Sequence, residues 1–109
     1  MNLNELIEKL QTLQANGKGR AKVNYFSANF LETVKRVRIV EPYCDKAAII
    51  LDTCDKKKKG MTVNKLVETL QIVQKDNKGY CEVNYFNAHI LETVKTVKIA
   101  DSGIFLNNK

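Results

Sequence analysis

The stretch VNYFSANFLETVK, Val23 to Lys35, returns sixty residues later as VNYFNAHILETVK, Val83 to Lys95. Shifting the chain by sixty positions aligns Asn4–Val40 with Asn64–Ala100 without a gap, and 20 of those 37 positions are identical. This repeat constrains the fold more than any other feature, because whatever one half adopts the other must accommodate. Each unit is roughly fifty residues long, near the lower limit at which a domain folds unaided. Met61 falls under Met1 in the alignment, which reads as a head-to-tail fusion of a gene whose product paired with itself about a two-fold axis. Two copies are fewer than the roughly three that a stacked solenoid needs.

Each half opens with a helical pattern. Leu3, Leu6, Ile7, Leu10 and Leu13 recur at helical spacing, as do Val63, Leu66, Val67, Leu70 and Val73. Asn2 and Thr62 suit the N-cap, with Glu5 placed for a capping box and Lys65 in its place in the second half. Gly17 and Gly79, in NGKG and DNKG, are expected to end the helices in the left-handed conformation. AKVNYFS then predicts a strand with Val23 and Tyr25 on one face and Asn24 and Phe26 on the other. ETVKRVRIV predicts a second strand with Val37 and Ile39 inward and Arg36 and Arg38 outward, mirrored by Val97, Ile99, Thr96 and Lys98. Val34 is out of phase, which predicts a bulge near Lys35. AAIILDT and GIFLNN predict a third strand. The expected fold is α+β: two tandem α-β-β-β repeats with pseudo-two-fold symmetry, antiparallel sheets each carrying one helix. Residues 1–53 form the first repeat, 54–60 a Lys-rich linker and 61–109 the second.

Composition narrows the class. With 44% hydrophobic and 28% charged residues the chain has an ordinary globular profile, and no apolar run approaches the roughly 20 residues of a membrane span. The amino terminus MNLNELIEKL lacks the basic-then-apolar pattern of a signal peptide, so the expected location is cytoplasmic, with no membrane partner. Cys44, Cys54 and Cys81 form no CxxC pair and are odd in number, which indicates neither a zinc site nor a disulfide framework. The net charge of +6 divides unevenly: residues 1–53 carry eight basic and six acidic side chains, residues 54–60 four and one, and residues 61–109 six and five. Half the excess therefore lies in CDKKKKG, and the two repeats themselves are close to neutral.

No catalytic constellation is legible. The one histidine, His89, has Asn29 as its counterpart. Glu32 and Glu92 recur without a second titrating group to work with, and Glu8 and Glu68 recur on the outer faces of helices. There is no P-loop, no GxGxxG and no cluster of metal ligands. The chain is expected to be no enzyme and to need neither cofactor nor metal.

MTVNKLVETLQ, followed by a turn, a strand and ETVKTVKIA, resembles the short uncharacterised proteins of phages and prophages that begin MTV-x-ELIEKL and end in a strand hairpin of the form x-I-x-x-V-x-I. The resemblance covers nearly all of each repeat and implies a phage or mobile-element accessory protein, with no catalytic residues to carry over. Within the chain, VNYF stands out because it is kept in both halves. Asn24, Tyr25, Phe26 and Lys35, with Asn84, Tyr85, Phe86 and Lys95, are the candidates for binding a ligand or partner. Their task is either contact between the repeats or the lining of a cleft between them. Three functions follow: a non-enzymatic binding protein that inhibits a host defence factor by protein contact, sequestration of a nucleotide or other small anion between the repeats, and nucleic-acid binding. The last rests on Arg36, Arg38, Lys56, Lys57, Lys58 and Lys59. The partner is thus a host protein, a small anionic ligand or a nucleic acid, bound by a monomeric pseudo-dimer or a homodimer.

Overall fold

A computed structural model describes residues 1–40, 48–53, 59–101 and 103–109. Two helices form where the periodicity places them, α1 over Leu3–Ala15 and α2 over Val63–Val73. The capping box of α1 is complete: the Glu5 N–H donates to Asn2 Oδ1 (2.9 Å) and the Asn2 N–H donates to Glu5 Oε1 (3.2 Å). In α2 the Lys65 N–H donates to Thr62 Oγ1 (3.2 Å), but a lysine side chain cannot accept the return bond.

The helices end differently. Gly17 follows α1 with φ of 82°, as expected, whereas α2 runs on into a π-helical turn, Gln74–Lys78, in which Asn77 takes the left-handed conformation with φ of 61°. Gly79, with φ of −60°, is right-handed, which corrects the expectation for it. Its role is close approach. The Asn4 N–H donates to Gly79 O (2.9 Å), and a Cβ on Gly79 would lie 2.6 Å from Asn4 Cγ. Gly19 stands in the same relation to Asn64, with N–H to carbonyl at 2.9 Å and a Cβ 2.7 Å from Asn64 Cγ.

Among the described residues each half has four strands rather than three. They are β1 (Val23–Ser27), β2 (Phe30–Thr33), β3 (Arg36–Val40) and β4 (Ala48–Asp52), then β5 (Val83–Asn87), β6 (Ile90–Thr93), β7 (Thr96–Ala100) and β8 (Gly103–Asn107). They form two four-stranded sheets, β2-β1-β8-β7 and β3-β4-β5-β6. Consecutive strands within a sheet pair antiparallel, but the central joints, β1 with β8 and β4 with β5, are parallel. Each sheet is thus mixed and takes one hairpin from each half, which corrects the expectation of an antiparallel sheet per repeat.

The reason lies at Val34. The predicted strand ETVKRVRIV is two strands in different sheets: the Val34 N–H donates to Val23 O (2.9 Å) in the first and the Lys35 N–H donates to Asp52 O (2.9 Å) in the second. A valine out of phase with Val37 cannot reach the core from a single flat strand, because side chains alternate in direction. The chain instead crosses between sheets, with Val34 and its counterpart Val94 fully buried at the crossing. The β1–β2 hairpin preceding it turns through Ala28 and Asn29 at φ of 50° and 70°, the mirror-image type that matches strand twist.

The apolar stripes of α1 and α2 pack on one another and on the inner sheet faces, where Val23, Tyr25, Ile49, Leu51, Val83, Tyr85, Ile104 and Leu106 are buried. Val37 and Val97 join the edge of this core, whereas Ile39 and Ile99, expected to face it, are exposed on the edge strands β3 and β7. Backbone bonds cross between halves in matched pairs: Leu3 N–H to Cys81 O and Val63 N–H to Ala21 O at 2.8 and 2.9 Å, and Val83 N–H to Met1 O and Val23 N–H to Met61 O at 3.1 Å each. Among the described residues no helix is long and apolar enough to cross a membrane.

Candidate anion-binding groove

VNYF divides into three environments. Tyr25 and Tyr85 are both buried and meet one another at the contact between β1 and β5, with ring centroids 4.8 Å apart and planes tilted by 40°. They fill the space between the halves, where Tyr85 also lines, with Phe26, a groove of about 600 Å³ formed by residues of both halves, and a substitution at either will perturb the core. The Tyr85 phenol lies 3.5 Å from Glu92 Oε2. Burial above all, then the charge and hydrogen bond of Glu92, raises its pKa above the ordinary phenol value, with a hydrogen bond from the Asn108 backbone opposing. Asn24 and Asn84 are also buried, accepting from Thr33 Oγ1 and Thr93 Oγ1 at 2.6 and 2.9 Å. Asn84 Nδ2 donates to Glu82 O (3.3 Å), and Asn24 Nδ2 to Lys22 O (3.5 Å). These amides lock each hairpin against the parallel joint. Only the phenylalanines reach solvent, Phe26 being 53% exposed and Phe86 half-buried.

The cations of this region gather elsewhere. Lys22, at the start of β1, lies beside Lys35 and Arg36 at the crossing, Lys59 at the end of the linker, and Lys65 in the first turn of α2. With Gly60, Met61, Thr62, Val37 and Thr69 they line a groove of about 660 Å³. The strand-like bridge between Lys22 and Thr62 holds its two walls together, and Lys22 Nζ donates to Gly60 O (2.7 Å). Gly60 fits there because a Cβ would sit 3.0 Å from Thr33 Cβ. Among the described residues no carboxylate lines the groove. Asp52 pairs with Arg36 (Nε to Oδ1, 3.1 Å; Nη2 to Oδ2, 3.0 Å) from the sheet side, and Glu68 lies 3.7 Å from Lys65 Nζ in solvent. The amide N–H groups of Val63, Asn64 and Lys65 are all taken, by Ala21 O, Gly19 O and Thr62 Oγ1. An anion here is met by side-chain cations, not by the helix terminus.

Of the candidates named from the sequence, the groove collects Lys35, Arg36 and Lys59. Lys95 lies outside it, exposed. Arg38 turns to Asp52, which is only 4% exposed and so receives two guanidinium groups. Arg36 and Arg38 therefore share one buried carboxylate and do not form an unpaired basic stripe. Lys56, Lys57 and Lys58 lie outside the described residues, as do Cys44 and Cys54. Lys22 and Lys65 belong to no motif, yet a signal exists for them in the positions sixty residues away, which carry Glu82 and Glu5. Four of the five groove cations, Lys22, Lys35, Arg36 and Lys65, correspond to Glu82, Lys95, Thr96 and Glu5. The first set carries four positive charges, whereas the second, with two acids and one lysine, sums to one negative charge.

His89 is exposed at the tip of the β5–β6 hairpin, and Glu92 is occupied with Tyr85 and Asn87 (3.5 Å each). The two hairpin tips are tied together, the Ala28 N–H donating to Asn87 Oδ1 (2.8 Å) and the Ala88 N–H to Ser27 Oγ (2.9 Å). Among the described residues no three metal-ligating side chains converge. The chain matches no protein-family model, no curated protein and no solved structure.

Proposed function

We propose that the chain is a non-enzymatic, cytoplasmic binding protein that holds an anionic, phosphate-bearing ligand in the groove between the end of the linker, the crossing segment and α2. The observation that carries this reading is the convergence of Lys22, Lys35, Arg36, Lys59 and Lys65 on one concave surface without a lining carboxylate among the described residues. Concentrating like charges is unfavourable in the free protein and is relieved by an anion. The halves are two copies of one module about a pseudo-two-fold axis, which the matched backbone bonds support, and the groove has arisen on one side of it. The resemblance of each repeat to short phage and prophage proteins is what associates the module with mobile elements.

Calorimetric titration with inorganic tripolyphosphate at about 50 mM salt tests the reading. Binding should weaken steeply as salt rises and be abolished by the double charge reversal Lys22→Glu and Lys65→Glu, two exposed positions. Unchanged affinity in that variant would end it.

A second reading, inhibition of a host protein by contact, draws support from the joined hairpin tips, where Phe30 and Ile90 are 71% and 64% exposed. Phe30→Asp with Ile90→Asp should then abolish capture of that partner and leave tripolyphosphate binding intact.

A further inference from the structure

The groove shares Lys22 with the outer face of the β2-β1-β8-β7 sheet, and that face carries a feature of different chemistry. Side chains alternate along a strand, so Lys22, Asn24 and Phe26 share this face. At about 3.3 Å per residue Lys22 and Phe26 stand roughly 13 Å apart along it. Phe105 of β8 sits opposite Asn24 in register, and its ring stacks on Phe26 with centroids 5.5 Å apart and planes within 13° of parallel. Beside the two rings runs a second groove, of about 600 Å³, whose lining includes Asn29, Asn87, Asn107 and Lys98.

The other sheet is a built-in control. There β5 and the residue before it present Glu82, Asn84 and Phe86 in the same order, and the residue opposite Asn84 is Ile50, which is buried. The asparagines bond their threonines alike in both sheets, whereas Lys22 donates to Gly60 O and Glu82 pairs with the Met1 ammonium. Along β1 the positive charge of Lys22 and the aromatic partner Phe105 occur together, whereas β5 has Glu82 and Ile50 in those places and the arginines of its sheet face, Arg36 and Arg38, are paired with Asp52. A cationic end and an exposed stacked aromatic on one strand face are the two elements with which proteins hold single-stranded nucleic acid: the cations track phosphates and the ring takes a base.

We infer that this face binds a short single-stranded oligonucleotide, its phosphates along Lys22, Lys35, Lys59 and Lys65 and a base against the Phe26–Phe105 pair. This rests on the anion-binding reading and narrows it. The length of the face suits on the order of four nucleotides, the lower end of the range for such grooves.

The test uses the full chain and a fluorescent hexanucleotide of mixed pyrimidines, read by anisotropy, with tripolyphosphate as the competitor. Binding is expected, with log K falling against log salt at a slope of about −2 to −3, as three or four phosphate contacts on a single strand give. Phe26→Ala should weaken the oligonucleotide about 5- to 150-fold, the range for losing one stacked base, and leave tripolyphosphate unaffected. Phe86→Ala, on the other sheet, should change neither. If tripolyphosphate binds and the oligonucleotide does not, or binds with an affinity that Phe26→Ala leaves unchanged, the inference falls and the anion-binding reading stands. If neither probe binds, both fall. A duplex of the same sequence binding as tightly as the single strand also overturns the inference, because its stacked bases cannot reach the rings.

Discussion

Gly79→Ala should destabilise the protein although the backbone favours the change, and the sign should reverse when Asn4 is removed. Gly79 has φ of −60° and ψ of −25°, a conformation in which alanine gains about 0.4–1 kcal/mol by restricting the unfolded chain. Its new Cβ would lie 2.6 Å from both Cγ and Nδ2 of Asn4, well inside contact distance. Asn4 cannot withdraw as a whole, because its own N–H is bonded to Gly79 O at 2.9 Å. Its side chain must rotate away. That forfeits the bond from Gln74 Nε2 to Asn4 Oδ1 (2.7 Å), worth about 0.5–1.5 kcal/mol net, and holding the exposed amide off its preferred rotamer adds about 0.5–1.5 kcal/mol. Set against the backbone gain, a net loss of about 1 kcal/mol follows. In an Asn4→Ala background the obstacle is gone, and Gly79→Ala should stabilise by the backbone effect alone. Urea unfolding of the four proteins of the cycle reads the coupling as a shift of midpoint at constant slope. A higher midpoint for Gly79→Ala alone, or no change of sign in the Asn4→Ala background, would refute the reasoning. Gly19 with Asn64 offers an independent repeat of the cycle, since a Cβ there lies 2.7 Å from Asn64 Cγ.

Two further outcomes are expected. The folded-state pKa of Tyr85 is raised, so the folded protein keeps a proton that the unfolded chain releases near pH ~10; the associated stability is whole below that value and is lost as pH climbs through the folded pKa. Urea midpoints across that range should therefore fall less steeply for Tyr85→Phe than for the parent protein, and parallel slopes would count against it. Residues 1–53 expressed alone should sediment as a dimer or be unfolded, because β1 finds its neighbour β8 and β4 its neighbour β5 only in the other half; a folded monomer at every concentration would contradict this.

The apolar faces of the helices are legible in the sequence, since five apolar positions at helical spacing become five buried ones in each of them. The strands are legible as strands, but their partners are not. Alternation reports which face of a strand is buried and says nothing of which strand lies beside it, so the parallel joints of β1 with β8 and β4 with β5 have no local signature. Val34 carries the one clue. Its phase error is real, and a bulge is the nearer explanation because it keeps the strand whole; a change of sheet satisfies the same phase by burying the valine at the crossing. Gly79 misleads for a related reason. A glycine near a helix end suggests a left-handed residue, but here Asn77 supplies that conformation and the glycine makes room for Asn4.

The candidate groove is hidden by the same repeat that discloses the fold. Residues kept in both halves are those both halves need, and in this architecture that is the shared interior: Tyr25 with Tyr85 across the contact, Asn24 and Asn84 locking the hairpins, Val34 and Val94 at the crossings. A single ligand groove between two like halves has the opposite signature. Only one side needs its charges, and the other is free to change them. Lys22 against Glu82, Lys65 against Glu5 and Arg36 against Thr96 are differences of charge at exposed or half-buried positions. Each also has a local partner, Lys22 on Gly60 O, Glu82 on the Met1 ammonium, Arg36 on Asp52 and Glu5 in its capping box, and the basic set is gathered on one concave surface. Phe105 against Ile50 extends the argument to a second kind of chemistry on the same face. Where a chain repeats its own sequence, identity between the halves marks the scaffold, and clustered departure from identity marks the surface where binding is to be sought.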